Sequence, residues 1–170
     1  MGYRIAPWAS FGEALAAVAG ALTGLLFVAL SVNSGALAAS GSLRARATQT
    51  LVLFVTSVLV AVLLVAPQPA AALGAELLAV AVVSGTCLLI LDRRAGHGSD
   101  QEVARYVERF SPNTITAVFV GVAGLTFLVK AGGGLYWLIP AAMASLAGGV
   151  VNAWLFLVLV RQPVSSIHPS

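Results

Sequence analysis

The chain predicts an all-α, polytopic membrane helix bundle: five transmembrane helices plus one short cytoplasmic amphipathic helix, in a single domain of 170 residues. Three observations carry that expectation. Hydrophobic residues make up 59% of the chain and charged residues 9%, where soluble domains carry about a quarter charged. Mean hydropathy is +0.98. Eight of the fifteen charged residues fall in residues 92–113 (DRRAGHGSDQEVARYVERFSPN), with nearly continuous apolar sequence on either side. A soluble core of this size cannot hide so much apolar surface, so lipid is the expected solvent and the charged segment must sit in water.

The first predicted span covers residues 11–32. Arg4 precedes it, with Tyr3 and Trp8, two residue types that favour the headgroup layer. A cleaved signal peptide is the rival reading, because Ala36-Leu37-Ala38 resembles a cleavage site. The apolar run is too long for that, Glu13 sits at its start, and Arg4 alone is a weak basic flank, so a retained span is expected. Residues 33–49, with serines, glycines, Arg44 and Arg46, read as a loop. The second span, residues 50–66, is rich in Val and Leu and stops at Pro67-Gln68-Pro69, since proline cannot continue the helical ladder. The third, residues 70–91, contains Glu76.

In the charged segment, Ser99 and Glu102 stand at capping-box spacing. Val103, Tyr106, Val107 and Phe110 then recur at i, i+3, i+4 and i+7, which predicts a short helix over residues 100–110 lying on the membrane surface. Tyr106 and Phe110 are its candidate docking residues. Ser111-Pro112 marks a further helix start. The fourth span, residues 113–130, is just long enough at about 1.5 Å per residue. Ala131-Gly132-Gly133-Gly134 forms a permissive turn. The fifth span, residues 135–160, opens with Tyr136 and Trp137 and tolerates Pro140 in its first turns.

Five spans send the two ends of this sequence to opposite sides. One side then receives Arg44, Arg46, Arg93, Arg94, Arg105, Arg109 and Arg161, the other only Arg4 and Lys130. Basic loops stay cytoplasmic, so the expected location is a bacterial cytoplasmic membrane with the N-terminus outside and the C-terminus inside. The same clustering explains a net charge of +3 without nucleic acid, for which no basic groove with stacking aromatics is available. The single cysteine, Cys87, lies in an apolar run and reads as packing.

Ionisable residues within spans are costly and point to function by default. Glu76 is the deepest of them; Glu13 and Lys130 flank it toward the same face. The four candidates for a pore lining or an ion pair are Glu76, Glu13, Lys130 and Asn152, with pairing of Lys130 to Glu76 or Glu13 as the structural alternative. Ser31, Asn33, Ser84, Thr86 and Asn152 lie toward the inner half and are expected to hydrogen-bond between helices, at about 1 kcal/mol each. Helix packing is expected at small residues: Gly20 and Gly24 form a GxxxG on the face shared by Glu13 and Ser31, Ser145 and Gly148 share a face with Ala141 and Asn152, and Gly121 with Gly124 notches the fourth span. No enzyme or cofactor is expected. His97 and His168 have no second ligand at metal spacing, no histidine lies in a span to activate a serine, and no phosphate-cradling glycine loop is present.

Residues 21–33 (ALTGLLFVALSVN) and 132–158 (GGGLYWLIPAAMASLAGGVVNAWLFLV) resemble a family of small five-span integral membrane proteins from high-GC bacteria, over about a quarter of the chain. The resemblance implies the five-span plan and, through a label given to some members, modulation of a membrane protease. The family's last span tends to carry an acid near its inner end; residues 156–160 here hold none. The leading functional expectation is an accessory or regulatory protein that binds another membrane protein, surrounded by lipid. The alternative is a homo-oligomeric channel or transport component for a small ion or proton.

Overall fold

The computed structural model describes residues 3–95 and 112–160, and those residues are all-helical. The expected surface helix over residues 100–110, with Tyr106 and Phe110, lies outside them. A 3-10 turn at Ala6–Trp8 leads into α1 (Ala9–Val32), followed by α2 (Ser34–Ala39), α3 (Gly41–Val65), α4 (Ala70–Ala95) and α5 (Pro112–Val129). A second 3-10 turn at Gly134–Trp137 opens α6 (Leu138–Val160). Four runs are long and apolar enough to cross a membrane: Ala6–Val32, Leu43–Val65, Ala70–Leu91 and Gly134–Trp154. The fifth apolar helix is shorter, Thr114–Val129. The architecture is that of a helical membrane bundle.

The segment expected as a loop, residues 33–49, is instead mostly helical. Ser40 breaks the chain with extended backbone angles (φ −131°, ψ 116°) and caps α3 by accepting a hydrogen bond from the Leu43 amide at 3.4 Å. Arg44, one turn into α3, reaches back and donates to the carbonyls of Leu37 and Ala38, at 3.3 and 3.2 Å, which the end of α2 leaves without amide partners. Serine and arginine therefore cap helices here, where composition alone suggested a loop. The second apolar helix accordingly begins well before residue 50.

The other boundaries follow local chemistry. Gln68 donates to the Leu63 carbonyl at 2.9 Å, closing the end of α3 just ahead of Pro69. At the end of α5, Lys130 adopts φ 55°, and Gly132, Gly133 and Gly134 follow at 83°, 113° and 60°. Lys130 and, after Ala131, three successive left-handed glycines reverse the chain; the three are glycine because such angles carry no steric cost there. Pro140 sits at the third position of α6, where no amide donor is missed.

Helices α3, α4, α5 and α6 form a ring, each packed along its neighbours, and α1 lies outside it, mainly against α3. The difference is large: 17% of the first apolar window is buried within the chain, against 50% of the second. We call the end bearing Trp8 and the glycine turn the upper end. The upper half is filled by an apolar core that includes Leu64 of α3, Leu73 and Leu77 of α4, Phe127 of α5 and Leu138 of α6. Below it the buried side chains include Thr50, Thr56, Ser57, Ser84, Thr116 and Ser145.

Glycines set the closest approaches. A Cβ on Gly124 would stand 2.9 Å from the Gly74 carbonyl oxygen, and one on Gly74 would stand 2.6 Å from Leu128 Cγ, so α4 and α5 touch backbone to backbone. Gly12 lies against Ala61 and Leu64 of α3, and Gly149 of α6 against the ring of Phe54. Gly124→Ala is expected to force α4 and α5 apart and cost about 1–3 kcal/mol, the usual range for overpacking. Gly20→Ala, at a position facing open space, is the matched control. Equal thermal midpoints for the two variants in detergent micelles would contradict this packing.

Candidate functional site

Buried polar groups in lipid must find partners within the protein, and most hydroxyls here find them on their own helix. Thr23 donates to the Ala19 carbonyl at 2.7 Å, Thr56 to Val52 at 2.7 Å, Ser84 to Val80 at 2.6 Å and Thr126 to Val122 at 2.6 Å. The Asn33 amide likewise bonds the Ala29 carbonyl at 2.8 Å. Among the described residues, the bonds of Asn33 and Ser84 run within their own helices and not between helices as expected. A short side chain on a helix reaches the carbonyl four residues back more easily than a neighbouring helix.

One hydroxyl contact joins α3 to α6. Ser57 Oγ and Ser145 Oγ lie 2.5 Å apart, both buried, with Ser57 also 3.2 Å from the Leu53 carbonyl and Ser145 3.2 Å from that of Ala142. Ser145 was legible as a small residue on a packing face; Ser57, inside a Val- and Leu-rich run, was not. Its only signal is a hydroxyl at mid-span. Gly148 is buried a turn below Ser145, and Asn152, a turn further, is half-buried.

The ionisable candidates do not converge. Glu13 is exposed on α1, Lys130 is exposed at the end of α5, and neither forms an ion pair with Glu76 among the described residues. Glu76, on α4, is half-buried, and its Oε2 is fully enclosed without a hydrogen-bond partner. An enclosed carboxylate oxygen with nothing donating to it works against the fold. The chemistry open to it is to accept a proton or to meet a cation.

The upper end is closed by aromatic side chains. Trp8, expected in the headgroup layer, is buried within the protein, edge-on to Phe11 at 5.6 Å and to Tyr136 at 5.2 Å. The hydroxyl of Tyr3 accepts from the Gly133 amide at 2.9 Å, and Trp137 stacks on Phe119 at 5.5 Å while its Nε1 donates to the Gly132 carbonyl at 2.7 Å. The left-handed turn leaves peptide groups that its own backbone cannot satisfy, and these side chains satisfy two of them.

Of the four long apolar helices, α1 is the least buried among the described residues. Gly20 and Gly24, expected to pack helices, have nothing within 4 Å of where a Cβ would stand. The face used against α3 carries Gly12, Leu15, Ala19 and Leu26, so the GxxxG points away, in line with exposed Glu13, Ala17, Phe27 and Ser31. Between α3 and α4 runs a second open feature, an apolar groove of about 530 Å³ whose walls include Leu51, Val55, Leu59, Val83 and Cys87. The polar floor of that groove, Thr56 and Ser84, is already bonded to its own backbone.

Because Glu76 carries an unmatched oxygen, Glu76→Leu is expected to raise the thermal midpoint in micelles, by the equivalent of about 1–3 kcal/mol. A fall would assign the carboxylate to holding the fold together. Comparison of the chain with protein-family models, with curated proteins and with solved structures finds no match, so the geometry of the bundle is what bears on function.

Proposed function

We propose that the chain is an integral membrane accessory protein that binds another membrane protein through the outer face of α1. The observation that carries this reading is the open GxxxG. Gly20 and Gly24 lie side by side on a peripheral helix with none of the described residues against them. Small residues in a span let a second helix approach closely, and association in lipid depends on that approach. In the reading, the chain sits in a bacterial cytoplasmic membrane with its N-terminus outside, as the bias of basic residues requires. The charged segment with Tyr106 and Phe110 then faces the cytoplasm as a second point of contact.

Gly20→Ile with Gly24→Ile is expected to abolish co-purification of the partner from native membranes while leaving the thermal midpoint of the chain unchanged. Retention of every partner by this double variant would defeat the α1 assignment. Tyr106→Ser with Phe110→Ser tests the cytoplasmic contact separately.

Glu76 favours a second reading, a homo-oligomeric channel or transport component for a proton or small cation. An enclosed acceptor without a donor suits a transient cation or proton better than a structural bond. The cavity described below, of about 10 Å³, is far too small to be a route through one chain, and in this reading the route runs between copies. Glu76→Gln is then expected to abolish flux in proteoliposomes with assembly retained, and unchanged flux would remove Glu76 from the path.

A further inference from the structure

We propose that the bundle holds a single buried water at mid-span, bound among the hydroxyls of Thr56, Ser57, Thr116 and Ser145. Three helices bring these groups together: α3 supplies the first two, α5 the third and α6 the fourth. All four side chains are almost wholly enclosed, at 3%, 4%, 2% and 1% exposure. They line a cavity of about 10 Å³, completed by apolar groups such as Leu15, Val60 and Leu138. That volume is about one water-sized sphere, the least that holds a water.

Hydrogen-bond accounting selects the occupant. Ser57 and Ser145 make three contacts: one with each other, one with the Leu53 carbonyl and one with the Ala142 carbonyl. Two hydroxyl protons serve those three contacts, so one is always without a proton. Each serine oxygen can also accept twice, and the two together accept at most once from one another. Thr56 adds no donor, because its proton goes to the Val52 carbonyl.

The serine pair is therefore rich in acceptors and short of protons. A water supplies two protons and accepts in return when a serine hydroxyl turns toward it, which gives it the two to four partners that buried waters keep. An anion or a carbonyl ligand would only add acceptors. A bare cation would sit without a counter-charge, since no carboxylate lines the cavity. The site depends on neither functional reading, because it belongs to the interior of one chain.

The test is the transfer of magnetisation from water to threonine methyl groups, on the full chain in nanodiscs of deuterated lipid with only threonine methyls labelled. Thr56 and Thr116 methyls are expected to show cross-peaks at the water frequency. Thr50 is equally buried, with its hydroxyl bonded to the Arg46 carbonyl, and it does not line the cavity, so it is expected to show none. Ser145→Ala, which removes one partner of the water, is expected to at least halve the Thr56 signal. Absence of signal at both Thr56 and Thr116 in the unmodified chain overturns the proposal. Equal signal at Thr50 overturns it too, because hydroxyl exchange and not a bound water would then be the source.

Discussion

Pressing one apolar helix against another inside lipid yields no hydrophobic gain, so this bundle depends on how closely its backbones approach. The approaches are made where glycine removes the side chain: Gly74 against Gly124 between α4 and α5, Gly12 on α3, and Gly149 beneath Phe54. Dispersion falls off steeply with distance, and a gap of even 1 Å forfeits a large part of it. Each glycine contact therefore supports the many ordinary contacts that flank it. The apolar core of the upper half, from Leu64 through Leu73 and Leu77 to Phe127, can close only because those helices already touch.

Polar chemistry is distributed around that constraint. Hydroxyls along the spans are mostly satisfied on their own helices and so place few demands on neighbours. The Ser57–Ser145 contact is different, since it links α3 to α6 at the point where the apolar core gives way to buried hydroxyls. At the upper end, the left-handed turn after α5 exposes peptide groups that Tyr3 and Trp137 satisfy, which ties the beginning of the chain to the α5–α6 connection. Trp8 wedges beside them, and the end of the bundle is sealed by rings.

What remains open is as informative as what is packed. The ring of four helices is complete by itself, whereas α1 touches it along one face and shows its GxxxG to the surroundings. Among the described residues, an enclosed oxygen of Glu76 is similarly unmatched, and Glu13 is exposed. Apolar side chains at these positions would be easier to hold in lipid than carboxylates.

Much of this architecture was written in the order of residue types. Long apolar runs, bounded by Pro67-Gln68-Pro69, Ser111-Pro112 and the triple glycine, determine the number and approximate limits of the apolar helices, since a continuous apolar run of that length satisfies its own backbone in lipid as a helix. The exception was residues 33–49, where polar residues that resemble a loop proved to be caps; composition does not reveal which carbonyl an arginine will reach. Which face of each helix turns inward was decided only by the tertiary structure. Gly20-Gly24 and Gly74-Gly124 look alike as small residues, yet one pair faces out and the other seals two helices, because the neighbours of a span are set by the whole bundle. For the same reason, pairing Ser57 with Ser145, 88 residues apart, and leaving Glu76 Oε2 alone are outcomes of packing.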